Sequence, residues 1–165
     1  MTQREFEDSN GRVTFLRTGS TTHGELHEQR VEYVPGSRFP PLHFHPDQDE
    51  HFVVEEGTMW FVVDGQERVV DAGGAIAIPR RTPHQARNAS HSEPVVVRWA
   101  TRPALRTADF FLTAHQLGEH AGPLTSALLA FEYRDVFRLS GVKGGVVPVL
   151  AGCARLLRRE LPSPR

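Results

Sequence analysis

Short apolar runs, each bounded by turn-forming residues, recur throughout the N-terminal part of the chain. They span residues 13–16, 31–34, 51–54, 59–63, 75–78 and 95–99. Asp64-Gly65, which directly follows one run, favours a tight hairpin because a type I′ turn needs positive φ at its central residues. Strands of this length at this spacing are typical of a sandwich or barrel. The sequence therefore predicts a mainly β domain over residues 1–104.

The pattern changes near Pro103, after which apolar residues recur at helical spacing. We expect helices over residues 107–120, with Thr107 as N-cap, over 124–139, and over about 148–159. A segment of this size is near the lower limit for folding alone, so its apolar faces need a partner. The sequence thus predicts that residues 105–165 form a helical extension packed on the β domain, and not a separate domain.

Charge and cysteine content exclude several classes of protein. The net charge is −1, which gives no global attraction to nucleic acid, and the single cysteine, Cys153, rules out an intrachain disulfide.

The N-terminus lacks the apolar core of a secretory signal, and no stretch approaches the roughly 20 apolar residues of a membrane span. We expect a soluble, cytoplasmic protein with no membrane association. One alternative lays residues 146–157 on a membrane surface, supported by Arg155, Arg158 and Arg159.

Potential metal ligands concentrate at His43-Phe44-His45. In an extended segment both imidazoles point to one side, and Glu50 follows five residues after His45. His84 follows the rigid turn 79–83. A lone His-x-His pair is more often an ordinary surface or core pair. Three imidazoles and a carboxylate, however, can fill four positions on a divalent ion and leave one or two open.

These residues form two motifs that resemble those of the cupin superfamily, particularly small single-domain bacterial cupins with a C-terminal helical extension. The first motif is carried by Gly36, His43, His45, Glu50 and Gly57, and the second by Gly73, Pro79, His84 and Asn88. The chain departs from the family pattern in two ways. One extra residue separates Gly36 from His43, and Arg81 stands where the family usually has glycine.

The resemblance implies a double-stranded β-helix, or jelly-roll, barrel with a metal inside and His43, His45, Glu50 and His84 as ligands. The metal would be one divalent first-row transition ion, and iron, manganese, nickel, zinc and copper all remain open. Catalytic residues beyond these ligands are not indicated. The residues around Glu50, among them Gln48, either orient the ligands or form a solvated loop.

The resemblance also implies a metal-dependent enzyme that acts on a small molecule. Small bacterial cupins include oxygenases, isomerases and cyclases of secondary metabolism, and an oxygenase or cyclase is the leading interpretation. The alternative is a non-catalytic metal- or small-molecule-binding protein, such as a sensor or carrier. The family is usually dimeric, and the run 59–63 is apolar on both faces. One face should line the barrel, and the face around Trp60 should be covered by the C-terminal helices or by a second subunit. We therefore expect a homodimer.

Overall fold

The computed structural model describes residues 4–118, 121–157 and 159–164. Its strands, in chain order, are β1 Glu5–Asp8, β2 Gly11–Arg17, β3 His27–Tyr33, β4 His43–Phe44, β5 Asp49–Glu56, β6 Thr58–Val63, β7 Gln66–Asp71, β8 Ala75–Ile78, β9 His84–Asn88, β10 Val95–Arg102 and β11 Arg138–Leu139. Its helices are α1 Thr107–Leu117, α2 Pro123–Glu132 and α3 Gly141–Leu156. The prediction of a mainly β fold followed by C-terminal helices is confirmed.

The strands form two antiparallel sheets that pack face to face. One sheet has the order β1-β2-β3-β10-β5-β8, and the other has the order β11-β4-β9-β6-β7. Met59 and Phe61 of β6 are fully buried against Phe52 and Val54 of the opposite sheet, with the Phe52 and Phe61 rings 5.2 Å apart. The alternation of buried and half-exposed side chains along β6 matches the prediction that one face of this strand lines the interior.

The strands are longer than the apolar runs because backbone pairing continues into polar residues. Thus β5 extends to Asp49–Glu56 and β10 to Val95–Arg102. Asp64 and Gly65 adopt φ of 50° and 75° and close the predicted hairpin between β6 and β7. The strand β7 escaped prediction because its side chains are mostly polar and exposed.

The helix boundaries differ from those predicted. Helix α1 has Arg106 as N-cap, and Thr107 is its first helical residue, with the hydroxyl donating to the Ala104 carbonyl at 2.7 Å. The helix ends before Gly118, whose φ is 67°; residues 119–120 of the predicted helix lie outside the described residues.

The second helix was predicted too long, and the third too far along the chain. Helix α2 ends at Glu132 instead of residue 139, because residues 138–139 pair with β4 as a strand. Helix α3 begins at Gly141, seven residues before the predicted start, so Pro148 lies inside it. Its described part ends at Leu156, and Arg158 lies outside the described residues.

The C-terminal segment packs at two places. Leu112 of α1 lies against Val13, Phe15 and Val31 on the inner face of the six-stranded sheet. Helices α2 and α3 pack mainly on each other and on β11. In the described part of the chain, no helix is both long enough and apolar enough to cross a membrane.

Helix α1 does not dock on the outer face around Trp60, which we expected the C-terminal helices or a second subunit to cover. The Trp60 ring contacts the ring of Phe39, at 5.6 Å between centroids, and the guanidinium of Arg87, at 4.5 Å from the ring centroid. Helix α1 instead packs on β2 and β3, where Val13, Phe15 and Val31 form an apolar surface against Leu112.

Candidate metal centre and cavity

The structure brings together the four side chains that the motifs single out. His43 of β4 is paired directly with His84 of β9, His45 follows β4, and Glu50 comes from β5 of the opposite sheet. All four are at least nine-tenths buried. The Glu50 carboxylate lies 3.2 Å from Nε2 of His45 and 2.7 Å from Nε2 of His84. One ring nitrogen from each histidine lies within 4.8 Å of the other two.

The other nitrogen of each imidazole, Nδ1, is held by a main-chain carbonyl. The acceptors are Pro41 for His43 at 2.8 Å, Val136 for His45 at 2.5 Å and Thr82 for His84 at 2.9 Å. A carbonyl oxygen can only accept, so each ring carries its proton on Nδ1. The lone pairs of the three Nε2 atoms are thereby left for a ligand, which is the usual arrangement of metal-binding histidines.

Among the described residues, one oxygen of the Glu50 carboxylate accepts a hydrogen bond. The indole Nε1 of Trp99 donates to Oε1 at 2.8 Å. Glu50 Oε2 and His45 Nε2 have no hydrogen-bond partner among the described residues, although both are buried. Buried polar atoms are normally satisfied, and lone pairs facing each other at these distances need a positive charge between them. The donor set therefore fits a divalent metal ion.

The protonation states of His43 and Glu50 also fit a metal. Burial lowers the pKa of His43 to about 3, assisted by the charges of His84 and His45, so this imidazole is neutral. Burial by itself would raise the pKa of Glu50, but the contacts with His45 and His84 outweigh it and hold that pKa well below its usual range. Burial likewise opposes charging of His45, yet the charge of Glu50 raises the pKa of that imidazole. Neutral imidazole and ionised carboxylate are the forms that bind metals, so His43 and Glu50 are in the binding form, whereas a metal at His45 would take the place of the proton that Glu50 favours there.

The C-terminal segment contributes two groups that the sequence did not reveal. The Val136 carbonyl orients His45, and the Phe137 ring stacks on His43 with 4.6 Å between centroids. Strand β11 pairs with β4, which places Leu139 opposite His43. A main-chain acceptor has no sequence signature, and Phe137 lay within the helix predicted over residues 124–139, with no role in the site assigned to it.

The residues beside Glu50 have different roles. Gln48 is buried, and its amide donates to Pro103 O, Ala104 O and Thr107 Oγ1, which ties the ligand loop to the start of α1. Asp49 is exposed and pairs with Arg80 at 2.7 Å. His51 is exposed on the outer face of β5.

Arg81, the departure from the family's glycine, adopts a φ of 67°. Glycine is favoured there because a left-handed conformation costs other residues about 1–2 kcal/mol. Two hydrogen bonds offset that cost: the Arg81 amide donates to the His45 carbonyl at 2.7 Å, and its Nε donates to the Pro46 carbonyl at 3.1 Å. The departure thus ties the turn before His84 to the loop that carries His45.

A cavity of about 470 Å³ lies beside the four side chains, and His43 and His45 form part of its wall. Seven aromatic rings contribute to the remaining wall: Phe6, Tyr33, Phe39, Trp99, Phe110, Phe111 and Phe137. The exposed residues Asp8 and Arg38 lie at its mouth. The site is therefore a buried cluster of metal-type donors that opens onto an apolar space large enough for a small organic molecule.

Comparison with known proteins agrees with this architecture. Residues 29–101 match the model of the cupin domain family. Over 64 residues the chain is 39% identical to the oxidoreductase iacF of Pestalotiopsis fici, a match that covers 37% of this chain and 31% of that protein. The matched region thus covers about a third of the length of that curated relative.

Solved structures with the same fold include three at low sequence identity. Oxalate decarboxylase of Lactobacillus farciminis is 20% identical, with a TM-score of 0.54 over 62% of this chain and 32% of that one. An RmlC-like cupin of Shewanella frigidimarina is 20% identical, with a TM-score of 0.53 over 64% of this chain and 88% of that one. KdgF of Halomonas sp. is 18% identical, with a TM-score of 0.51 over 62% and 86%. With this family match, fold and motif set, residues 29–101 form a cupin domain, and the cupin fold is followed by C-terminal helices.

Proposed function

We propose that the chain is a metal-dependent enzyme for a small organic substrate, with His43, His45, Glu50 and His84 binding one divalent first-row transition metal. The observation that carries the proposal is the orientation of the three imidazoles. Each is held through Nδ1, and Nε2 of His45 and of His84 faces the buried Glu50 carboxylate beside an aromatic cavity. Such an arrangement leaves buried polar atoms unpaired, which costs stability unless a cation binds there.

The leading reaction class is that of an oxygenase or cyclase of secondary metabolism. A bound metal with open positions supplies Lewis-acid or redox chemistry to a substrate beside it. The chain supplies the rest: aromatic walls exclude water and orient the substrate, while Trp99 and Val136 hold two ligands in place. The name of the Pestalotiopsis relative, an oxidoreductase, supports redox chemistry.

A non-catalytic binding protein is the second candidate, and the acid–base properties of the cavity favour it. Apart from the two histidines, the titratable side chain that lines the deeper cavity is Tyr33, whose pKa is raised by burial and by the charge of Glu50. A phenol held protonated binds an acceptor well but is a weak proton donor in catalysis. A sensor or carrier needs no proton transfer.

Metal analysis of protein purified without added metal tests the proposal. We expect about one metal ion per chain in the parent protein, and a roughly tenfold or greater loss of affinity in Glu50→Gln and in alanine variants of the three histidines. His51→Ala is the matched control, because this imidazole is next to Glu50 in sequence but exposed. Unchanged metal content in all four ligand variants would overturn the assignment.

Oxygen consumption then separates the reaction classes. Iron together with oxygen uptake in the presence of candidate aromatic substrates supports an oxygenase. Zinc or nickel without oxygen uptake supports a cyclase, an isomerase or a binding protein, and product analysis by mass spectrometry distinguishes turnover from binding.

A further inference from the structure

A second buried polar group, outside the metal centre, lies in the wall of the cavity. His27 and Gln29 occupy successive inward positions of β3 and are 1% and 0% exposed. Nε2 of His27 lies 2.9 Å from Oε1 of Gln29. An amide oxygen can only accept, so the imidazole donates and the amide is held with its nitrogen turned away from His27. Gln29 is one of the residues that line the cavity.

The amide nitrogen of Gln29 has no hydrogen-bond acceptor within the described ranges of the chain. A glutamine that serves only the packing of a core normally has both ends satisfied, because an unpaired buried donor costs stability. Burial lowers the pKa of His27, so the imidazole that holds the amide is neutral and adds no charge to the site. The unpaired donor is therefore a neutral group suited to an incoming acceptor.

Gln29 stands close to the metal centre in the sheet. It is paired across the strands with Trp99, and Trp99 donates its indole hydrogen to Glu50. His27 is paired with Thr101, which in turn is paired with Glu50. A molecule in the cavity thus contacts the wall formed by His43 and His45 and lies within reach of the Gln29 amide.

The rest of the wall restricts the chemistry of that molecule. Its aromatic rings favour a planar ligand that pairs with them edge-to-face or offset. The lining residues that carry a formal charge, Asp8 and Arg38, are exposed, so apart from a metal held by the histidines the interior offers no counter-ion to a charged ligand.

We propose that the cavity binds an uncharged aromatic molecule bearing an acceptor oxygen, and that the Gln29 amide is the specificity-determining donor for that oxygen. The identification of this ligand as the substrate rests on the function proposed above, whereas the binding itself does not require turnover. His27 is a positioning residue that acts through Gln29.

Two probes of equal shape test the inference. Methyl naphthyl ketone has a carbonyl oxygen where isopropenylnaphthalene has a methylene group, so only the ketone can accept a hydrogen bond there. Isothermal titration calorimetry with the purified full chain, at measured metal content, gives the ratio of their dissociation constants. The parent protein should prefer the ketone by about tenfold, the value expected when one buried donor gains its acceptor. In Gln29→Met the ratio should fall to about one while alkene binding and metal content stay unchanged.

The matched control is Gln66→Met, at an exposed position of β7, which should keep the full preference. Equal binding of the two probes by the parent protein, or binding of neither, overturns the inference without reference to any variant. A preference that persists in Gln29→Met also overturns it, because the acceptor is then bound elsewhere, including at the metal. Failure of the proposed function is a separate result, because it shows as protein without bound metal. The ratio of the two dissociation constants can still be measured in that protein and in its Gln29→Met variant.

Discussion

Replacing Trp99 with phenylalanine removes the hydrogen bond that its indole donates to the Glu50 carboxylate. The indole donates to Glu50 Oε1 at 2.8 Å, and its ring stacks on Phe52 at 5.4 Å and 8°. A phenyl ring preserves most of that stacking but carries no donor. Glu50, which is 2% exposed, then keeps a buried oxygen with one partner fewer.

The magnitude follows from the charge and burial of the acceptor. A hydrogen bond to a charged group contributes about 1.5–3 kcal/mol, and we expect the free energy of unfolding of the metal-free protein to fall by that amount. Loss of a group that orients a metal ligand typically lowers metal affinity by about 10–100-fold. Both effects act through Glu50, so they should appear together.

Trp60→Phe is the matched control for this substitution. Trp60 is half-buried, and its Nε1 makes no hydrogen bond within the described part of the chain. Its loss should cost less than about 1 kcal/mol, mainly through the weakened contact with Arg87. Urea unfolding and competition with a chelator measure the two effects. Equal stability and equal metal affinity in the two variants would refute the role assigned to the Trp99 indole.

Four further predictions concern the core, the C-terminal segment and assembly. Phe61→Ala should lower the free energy of unfolding by about 3–5 kcal/mol in urea titrations. A loss near 1 kcal/mol would show that the core can collapse into the space left by the deleted ring. Phe137→Ala should weaken metal binding several-fold because His43 loses its stacked ring, whereas Phe131→Ala should leave metal affinity unchanged. Deleting residues 105–165 should expose apolar surface and cause aggregation, and a truncated protein that stays soluble and metal-loaded would contradict the packing. Light scattering at micromolar concentration should give a homodimer with an interface of about 1,200 Å² or more, and a monomer would count against it.

Much of the β domain could be predicted because its signals are local. A strand alternates its side chains between two faces, so the apolar runs located most of the core strands, and Asp64-Gly65 located a hairpin. The His-x-His spacing placed two imidazoles on one side for the same reason. Gly57 illustrates how strict such local requirements are: its φ is 77°, and a Cβ there would lie 2.8 Å from the Pro94 carbonyl oxygen.

The groups that orient the ligands depended on long-range packing. Residues 138–139 were predicted to continue a helix, yet they form β11. Their pairing with β4 satisfies backbone groups of β4 that would stay unpaired if α2 continued through these residues. That pairing brings the Val136 carbonyl to His45, 91 residues away in the chain. Every residue carries the same backbone carbonyl, so the residue type does not indicate which carbonyl will accept a hydrogen bond from a ligand.

The sequence by itself determined which side chains could bind a metal, because imidazole and carboxylate chemistry belongs to residue type and spacing. The tertiary structure alone decided which ring nitrogen of each histidine is free, since that depends on the carbonyls of Pro41, Thr82 and Val136. It likewise decided that Gln29 keeps an unpaired amide nitrogen beside the cavity. Hydrogen-bond partners are set by which segments the folded chain brings within 3 Å or so of one another, and a linear pattern does not contain that distance.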